Sequence, residues 1–143
     1  MSLITPHGGR LVNRVAPEPS RADLREFART LPAIELTRRE LCDLELLATG
    51  ALSPLDGFLG SKDFAHVVRH KRLERGLAWT IPISLSVSSD LASRLSEGRP
   101  AALTYEERVG AVVEVAERFT FDREEEARLV YGTTDPSHPG VKA

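Results

Sequence analysis

Apolar residues recur three and four apart through the first half of the chain and two apart through much of the second. The helical spacing begins after the loop "APEPS". There Ser20 stands in an N-cap position with Asp23 three residues on, Leu24, Phe27, Ala28 and Leu31 form the apolar face, and Pro32 is the stop. Next, "LTRRELCDLELLATG" puts Thr37 and Glu40 in a capping-box pattern ahead of Leu41, Leu44 and Ala48, with Gly50 as a left-handed stop. A third helix is predicted from Ser61, as its cap, through Phe64, Val67 and Val68 towards Leu73. From Trp79 the period becomes two. Ile81, Ile83, Leu85 and Val87 alternate with Thr80, Pro82, Ser84 and Ser86, which predicts a strand whose Pro82 confines it to an edge or a break in the ladder.

A short capped helix closed by Gly98 is predicted in "SSDLASRLSEG". Two strands follow, "AALTY" and "RVGAVVEVAERF", the second with Val109, Ala111, Val113 and Val115 on one side, and the intervening "EER" suits a hairpin. A last helix opens at Asp122 and Glu125, turns Ala127 and Val130 inward and closes at Gly132. Helices first and strands second give an α+β pattern, without the strand and helix alternation of a doubly wound sheet. A small barrel with peripheral helices would cover the edges of strands this short.

Composition narrows the class. The 143 residues are 41% hydrophobic and 28% charged, so a single soluble domain over 1–143 with a real core is expected. No run reaches the roughly 18 apolar residues of a membrane helix. The opening "MSLITPHGGR" has neither the basic nor the apolar region of a signal peptide, so a cytoplasmic location and no membrane partner are expected. The formal net charge of -2 provides no general attraction for nucleic acid. The one basic cluster, "RHKRLER", lies where cations complement a helix C-terminus and has no aromatic interleaved to stack on a base. The single cysteine, Cys42, has no internal partner and is expected to be a small buried side chain.

Candidate chemistry is thin. "PHGGR" lacks the strand, helix and lysine of a phosphate loop and reads as a turn. His66 and His70 share a helix face, but Arg69 beside them repels a cation and a structural zinc wants four ligands. "SPLDG" joins two turn signals rather than marking a nucleophile, yet Leu52, Leu55, Phe58 and Leu59 around it need somewhere to bury: a partner surface or the domain's own core. In "YGTTDPSHPGVKA", Asp135 and His138 each precede a proline and are either reactive groups or side chains that bond their own turn. No catalytic or metal-binding residue is assigned from these patterns.

Four ordered blocks, "PHGGRLVNR", "LPAIELTRRELCDLELLATGALSPLDGFLGSKDF", "RLERGLAWTIPISLSV" and "EEARLVYGTTDPSHPGV", closely resemble the N-terminal domain of the ATP sulfurylase (sulfate adenylyltransferase) family from about Thr5 to Val141. Leu52 and Leu59 depart mildly, standing where the family often has an aromatic residue and a methionine. The resemblance implies a PUA-like small β-barrel with peripheral helices. It also implies a parent enzyme that joins ATP and sulfate into adenosine 5'-phosphosulfate and pyrophosphate with Mg²⁺ assisting. The family's nucleotide and sulfate sites lie on Gln-x-Arg-Asn and His-x-x-His segments of a following domain, and this sequence has no glutamine. No family catalytic residue carries over, and no cofactor is expected in this chain. What the resemblance leaves is a structural or docking role towards a catalytic domain in cis or in trans, with Leu55, Phe58, Leu59, Asp135 and His138 as candidate docking residues and self-association as a further possibility. The alternative of a free-standing PUA-like RNA-binding module rests on fold analogy, against the acidic charge balance.

Overall fold

The computed structural model describes residues 3–142. The chain divides into two compact units, each assembled from two separated segments: residues up to Phe58 with Leu85–Ala116, and Leu59–Ser84 with the chain from Glu117 onward.

In the first unit, helix α1 (Arg21–Ala28) precedes strand β1 (Ala33–Glu35) and helix α2 (Arg38–Thr49). Helix α4 (Ser89–Arg94) then leads into strands β2 (Arg99–Tyr105) and β3 (Arg108–Val115). The strands form one mixed sheet in the order β1-β2-β3, parallel at the first pair and antiparallel at the second. This sheet is open; the described residues do not close it into the small barrel expected from the sequence. The strand expected over Thr80–Val87 joins no ladder, and Ile81 is exposed while Ile83 is buried. Leu85 and Val87 nonetheless pack on the same apolar cluster as the sheet, but Pro82 and Ser84 are buried beside Ile83, so burial does not follow the alternation.

That cluster is built on Ile34, Leu36, Leu95, Ala101 and Leu103, with Ala111, Val113 and Val115 against it. Val109 is outside the cluster because of a register shift: Leu103 opposes Ala111 whereas Thr104 opposes Val109, leaving Gly110 as the extra residue. The hairpin turns on Glu106 and Glu107, both left-handed at φ 48° and 63° as a two-residue hairpin loop requires. Glu35 steadies it by accepting from the Glu106 amide at 2.8 Å.

Helix α2 starts as its sequence demands. The Thr37 hydroxyl accepts from the Glu40 amide, and the Glu40 carboxylate accepts from the Thr37 amide and hydroxyl at 2.8 Å each. Glu40 is buried, 4% exposed, and its other oxygen accepts from the Ser86 amide at 3.2 Å. Three donors and the helix terminus thus replace a counter-ion. At the far end Gly50 is left-handed, and a β-carbon there would stand 2.7 Å from the Val12 carbonyl oxygen. Ser20, by contrast, makes no side-chain cap for α1; its hydroxyl donates to the Pro17 carbonyl instead. Cys42 is exposed on α2, not buried as its apolar neighbours suggested.

The second unit pairs helix α3 (Ser61–His70) with helix α5 (Arg123–Tyr131) and ends in one turn of helix α6 (Pro139–Lys142). Asp122 caps α5 through its Oδ1, which accepts from the Glu124 and Glu125 amides, and Gly132 ends it in the left-handed conformation. Gly60, not Ser61, is the N-cap residue of α3, and it has no side chain to offer. The cap comes from Glu117, whose carboxylate accepts from the Ser61 amide and hydroxyl. Among the described residues no helix is long and apolar enough to cross a membrane.

Candidate functional site

The loop between α2 and α3 is folded inward. Ser53 is buried, accepting from the Val12 amide at 2.9 Å and donating to the Gly50 carbonyl at 2.6 Å. Leu55 and Leu59 are 6% and 7% exposed, and Phe58 is half-buried against the Leu103 cluster. Their apolar character is therefore satisfied largely within the chain, and of the three only Phe58 keeps appreciable surface. The exposed Asp56 pairs with Arg14 at 3.6 Å, a contact at the weak end for surface ion pairs.

The tail behaves differently. The Asp135 amide donates to the Thr133 hydroxyl, and the Asp135 carboxylate accepts from the Ser137 amide at 2.8 Å. That backbone bond, helped by the Ser137 hydroxyl and less by His138, holds the Asp135 carboxyl below its ordinary value. His138 donates its amide to the Asp135 carbonyl at 3.0 Å and lays its ring beside Tyr131, with centroids 5.3 Å apart. Asp135 is exposed and His138 half-buried, so the structure brings these two together as a turn. Leu55 and Phe58 belong to the first unit, whereas Leu59, Asp135 and His138 belong to the second.

A feature missed in the sequence is the aromatic trio of the second unit. Phe64 lies 4.6 Å from Phe121 and 5.5 Å from Phe119, between centroids. The spacing in "RFTFD", two phenylalanines on one face of an extended segment, is the signal that could have found it. An open cleft of about 350 Å³ runs over these rings, with Val68 in its wall and Arg69 and Glu125 paired at its rim at 3.5 Å. Its floor is apolar, and its charged lining sets Arg69 against Asp122, Glu125 and Glu126.

The remaining candidates have structural uses. "PHGGR" forms a single 3-10 turn with Gly8 and Gly9 left-handed. In the basic cluster, Lys71 donates its Nζ to the Val68 and Leu129 carbonyls at 3.2 and 2.7 Å, and Arg72 bonds the Gly76 carbonyl. His66 and His70 stand edge to face, 5.4 Å apart. Among the described residues no group of three or more His, Cys, Asp or Glu side chains could hold a metal ion.

Comparison with known proteins gives these features a setting. Residues 4–143 match the family described as PUA-like domain. A sulfate adenylyltransferase of Symbiobacterium thermophilum is 50% identical over 140 residues, which cover 97% of this chain and 36% of that protein. "Probable bifunctional SAT/APS kinase 2" of Sorangium cellulosum is 48% identical over 97% of this chain and 24% of its own length. Among solved structures, one titled "Hexameric APS kinase from Thiobacillus denitrificans" superimposes with a TM-score of 0.73 at 36% identity, over 85% of this chain and 24% of that one. The chain thus spans about a third of the length of sulfate adenylyltransferases such as the first. It belongs to the PUA-like domain family, and its match is to the N-terminal domain of ATP sulfurylases.

Proposed function

We propose that this chain is the non-catalytic N-terminal domain of an ATP sulfurylase. It braces and docks a catalytic domain that joins ATP and sulfate into adenosine 5'-phosphosulfate and pyrophosphate. The observation that carries this reading is the 50% identity over 97% of the chain to a protein of which it covers 36%. Two sequence facts point the same way: there is no glutamine for the family's nucleotide segment, and the nearest histidine pair, His66 and His70, has the wrong spacing for its sulfate segment. ATP and Mg²⁺ belong, on this reading, to the partner domain. The open sheet is the core of a PUA-like barrel, with Leu85 and Val87 marking a further wall that packs without pairing. Phe58, Asp135 and His138 are the docking residues that retain surface, and the partner stands in cis or in trans. A parent enzyme built from several copies fits the neighbour titled as hexameric.

Mixing the chain with a separately made sulfurylase catalytic domain tests this directly. Association by analytical ultracentrifugation and a gain in pyrophosphate release are expected, while the chain alone gives no release from ATP, Mg²⁺ and sulfate. Turnover by the chain alone, or a mixture with neither binding nor gain, would overturn the proposal.

A further inference from the structure

The tail closes on α5 through one side chain that can gain a proton. His138 precedes α6, and its carbonyl accepts from the Val141 and Lys142 amides at 3.0 Å each. Its ring nitrogen Nδ1 accepts from the Gly140 amide at 3.1 Å, the bond an N-cap makes to the second helical residue. The same ring lies against Tyr131 of α5. Gly140 is held equally close: a β-carbon there would come within 2.5 Å of the Tyr131 ring. Cap, ring contact and backbone approach therefore meet at His138, and the cap works only while Nδ1 carries a lone pair.

We propose that residues 135–142 form a proton-operated clasp, in which neutral His138 caps α6 and seats it on α5, and protonation at Nδ1 releases it. An imidazolium has N–H groups at both ring nitrogens, so its Nδ1 would point a proton at the Gly140 amide proton and the cap would be lost. Asp135 on the turn and Tyr131 on α5 adjoin it, Lys142 ends α6, and the rest of α5 carries Glu124, Glu125 and Glu126 with Arg123 and Arg128. A Lys142 ammonium disfavours a second cation beside it. The Asp135 carboxylate favours one. It acts from the surface, with its carboxylate already turned to the Ser137 amide. The clasp stands on these contacts alone. Its effect on a docking surface that includes Asp135 and His138 rests on the function proposed above.

The test is a pH titration of the intact chain followed by NMR. At neutral pH the His138 ring should be the tautomer protonated at Nε2, and the Gly140 amide signal should move with the same midpoint as the His138 ring. Protection from exchange at Gly140, Val141 and Lys142 should fall about threefold to tenfold as His138 protonates, the equivalent of one hydrogen bond. His138→Asn keeps an oxygen cap and should flatten the response, while His138→Ala should leave the tail unprotected at every pH. A Gly140 amide indifferent to the His138 titration, an Nδ1-protonated neutral ring, or an unchanged titration in H138N would overturn the clasp. All three readouts are independent of whether a sulfurylase domain binds.

Discussion

Leu103 and Phe64 are buried to a similar depth, 1% and 6% exposed, in unlike surroundings. Leu103 is the middle of a β-ladder and of an aliphatic cluster whose members come from β1, β2, β3 and the segments beside them. Phe64 faces two phenylalanines from a segment more than fifty residues away, and polar ties from single side chains hold the same segments together: Glu117 to Ser61, Lys71 to the Leu129 carbonyl, Arg69 to Glu125. The first unit is therefore centred on one apolar surface, whereas the second adds to its own buried side chains, Val67 and Leu73 among them, several point contacts. A surface degrades gradually under substitution, whereas a point contact fails singly.

The largest effects should come at those two residues. Phe64→Ala should cost about 3–5 kcal/mol and Leu103→Ala about 2–5 kcal/mol, read from denaturant midpoints. The distinguishing measurement is residue-level hydrogen exchange: F64A should deprotect α3 and α5 well before β2 and β3. Equal loss in both units would erase the contrast between them. Next in size is Glu40→Ala, which leaves the Thr37 and Ser86 amides without their carboxylate in a buried place and should cost about 1–3 kcal/mol; E40Q, keeping an acceptor, should cost less. Lys71→Met removes the ammonium from two carbonyls and should cost about 1 kcal/mol. Lys71→Gly should cost less than K71M, because Lys71 sits in the left-handed region at φ 56°.

The smallest effect is a pH dependence at Asp43. Partial burial raises its pKa, Arg39 opposes this and Glu40 adds to it. A carboxyl whose folded value lies above its unfolded one is harder to ionise in the fold. Its contribution is therefore neutral below the unfolded value of 3.8 and turns unfavourable as pH rises through the raised one. Asp43→Asn should gain slightly in melting temperature near neutral pH and nothing at pH 3, and a loss at neutral pH would refute the assignment.

Features that depend on near neighbours were legible in the sequence. Thr37 with Glu40, Gly50, the Glu106–Glu107 turn and Asp122 with Gly132 are each decided within a few residues, and each stands where the pattern put it. What was not legible depends on distance. Strand β1 is three residues long and exists because β2, far along the chain, pairs with it. Ser61 reads as a cap, but the cap is supplied from Glu117. The alternation at Ile81 to Val87 looks like a strand, yet Ile81 is exposed, Pro82 and Ser84 are buried beside Ile83, and the segment joins no ladder, because its contacts are set by elements distant in sequence. His138 before Pro139 reads as part of a turn, yet the proline becomes the first residue of α6, where its missing N–H costs nothing. Leu55 and Leu59 are buried within this chain, and apolarity alone does not say which surface absorbs a side chain.

Position 60 shows how such long-range dependence constrains change. A β-carbon on Gly60 would meet the Glu117 carboxylate at 2.5 Å. Since that carboxylate is the end of a flexible side chain, it would swing away rather than force the backbone, and α3 would lose its cap. Gly60→Ala and Glu117→Ala should therefore be nearly redundant: the double variant should cost little more than either single one. Across a set of homologous sequences the two columns should vary together, with a glutamate at 117 only where 60 is glycine, although 56 residues of chain separate Ser61 from Glu117.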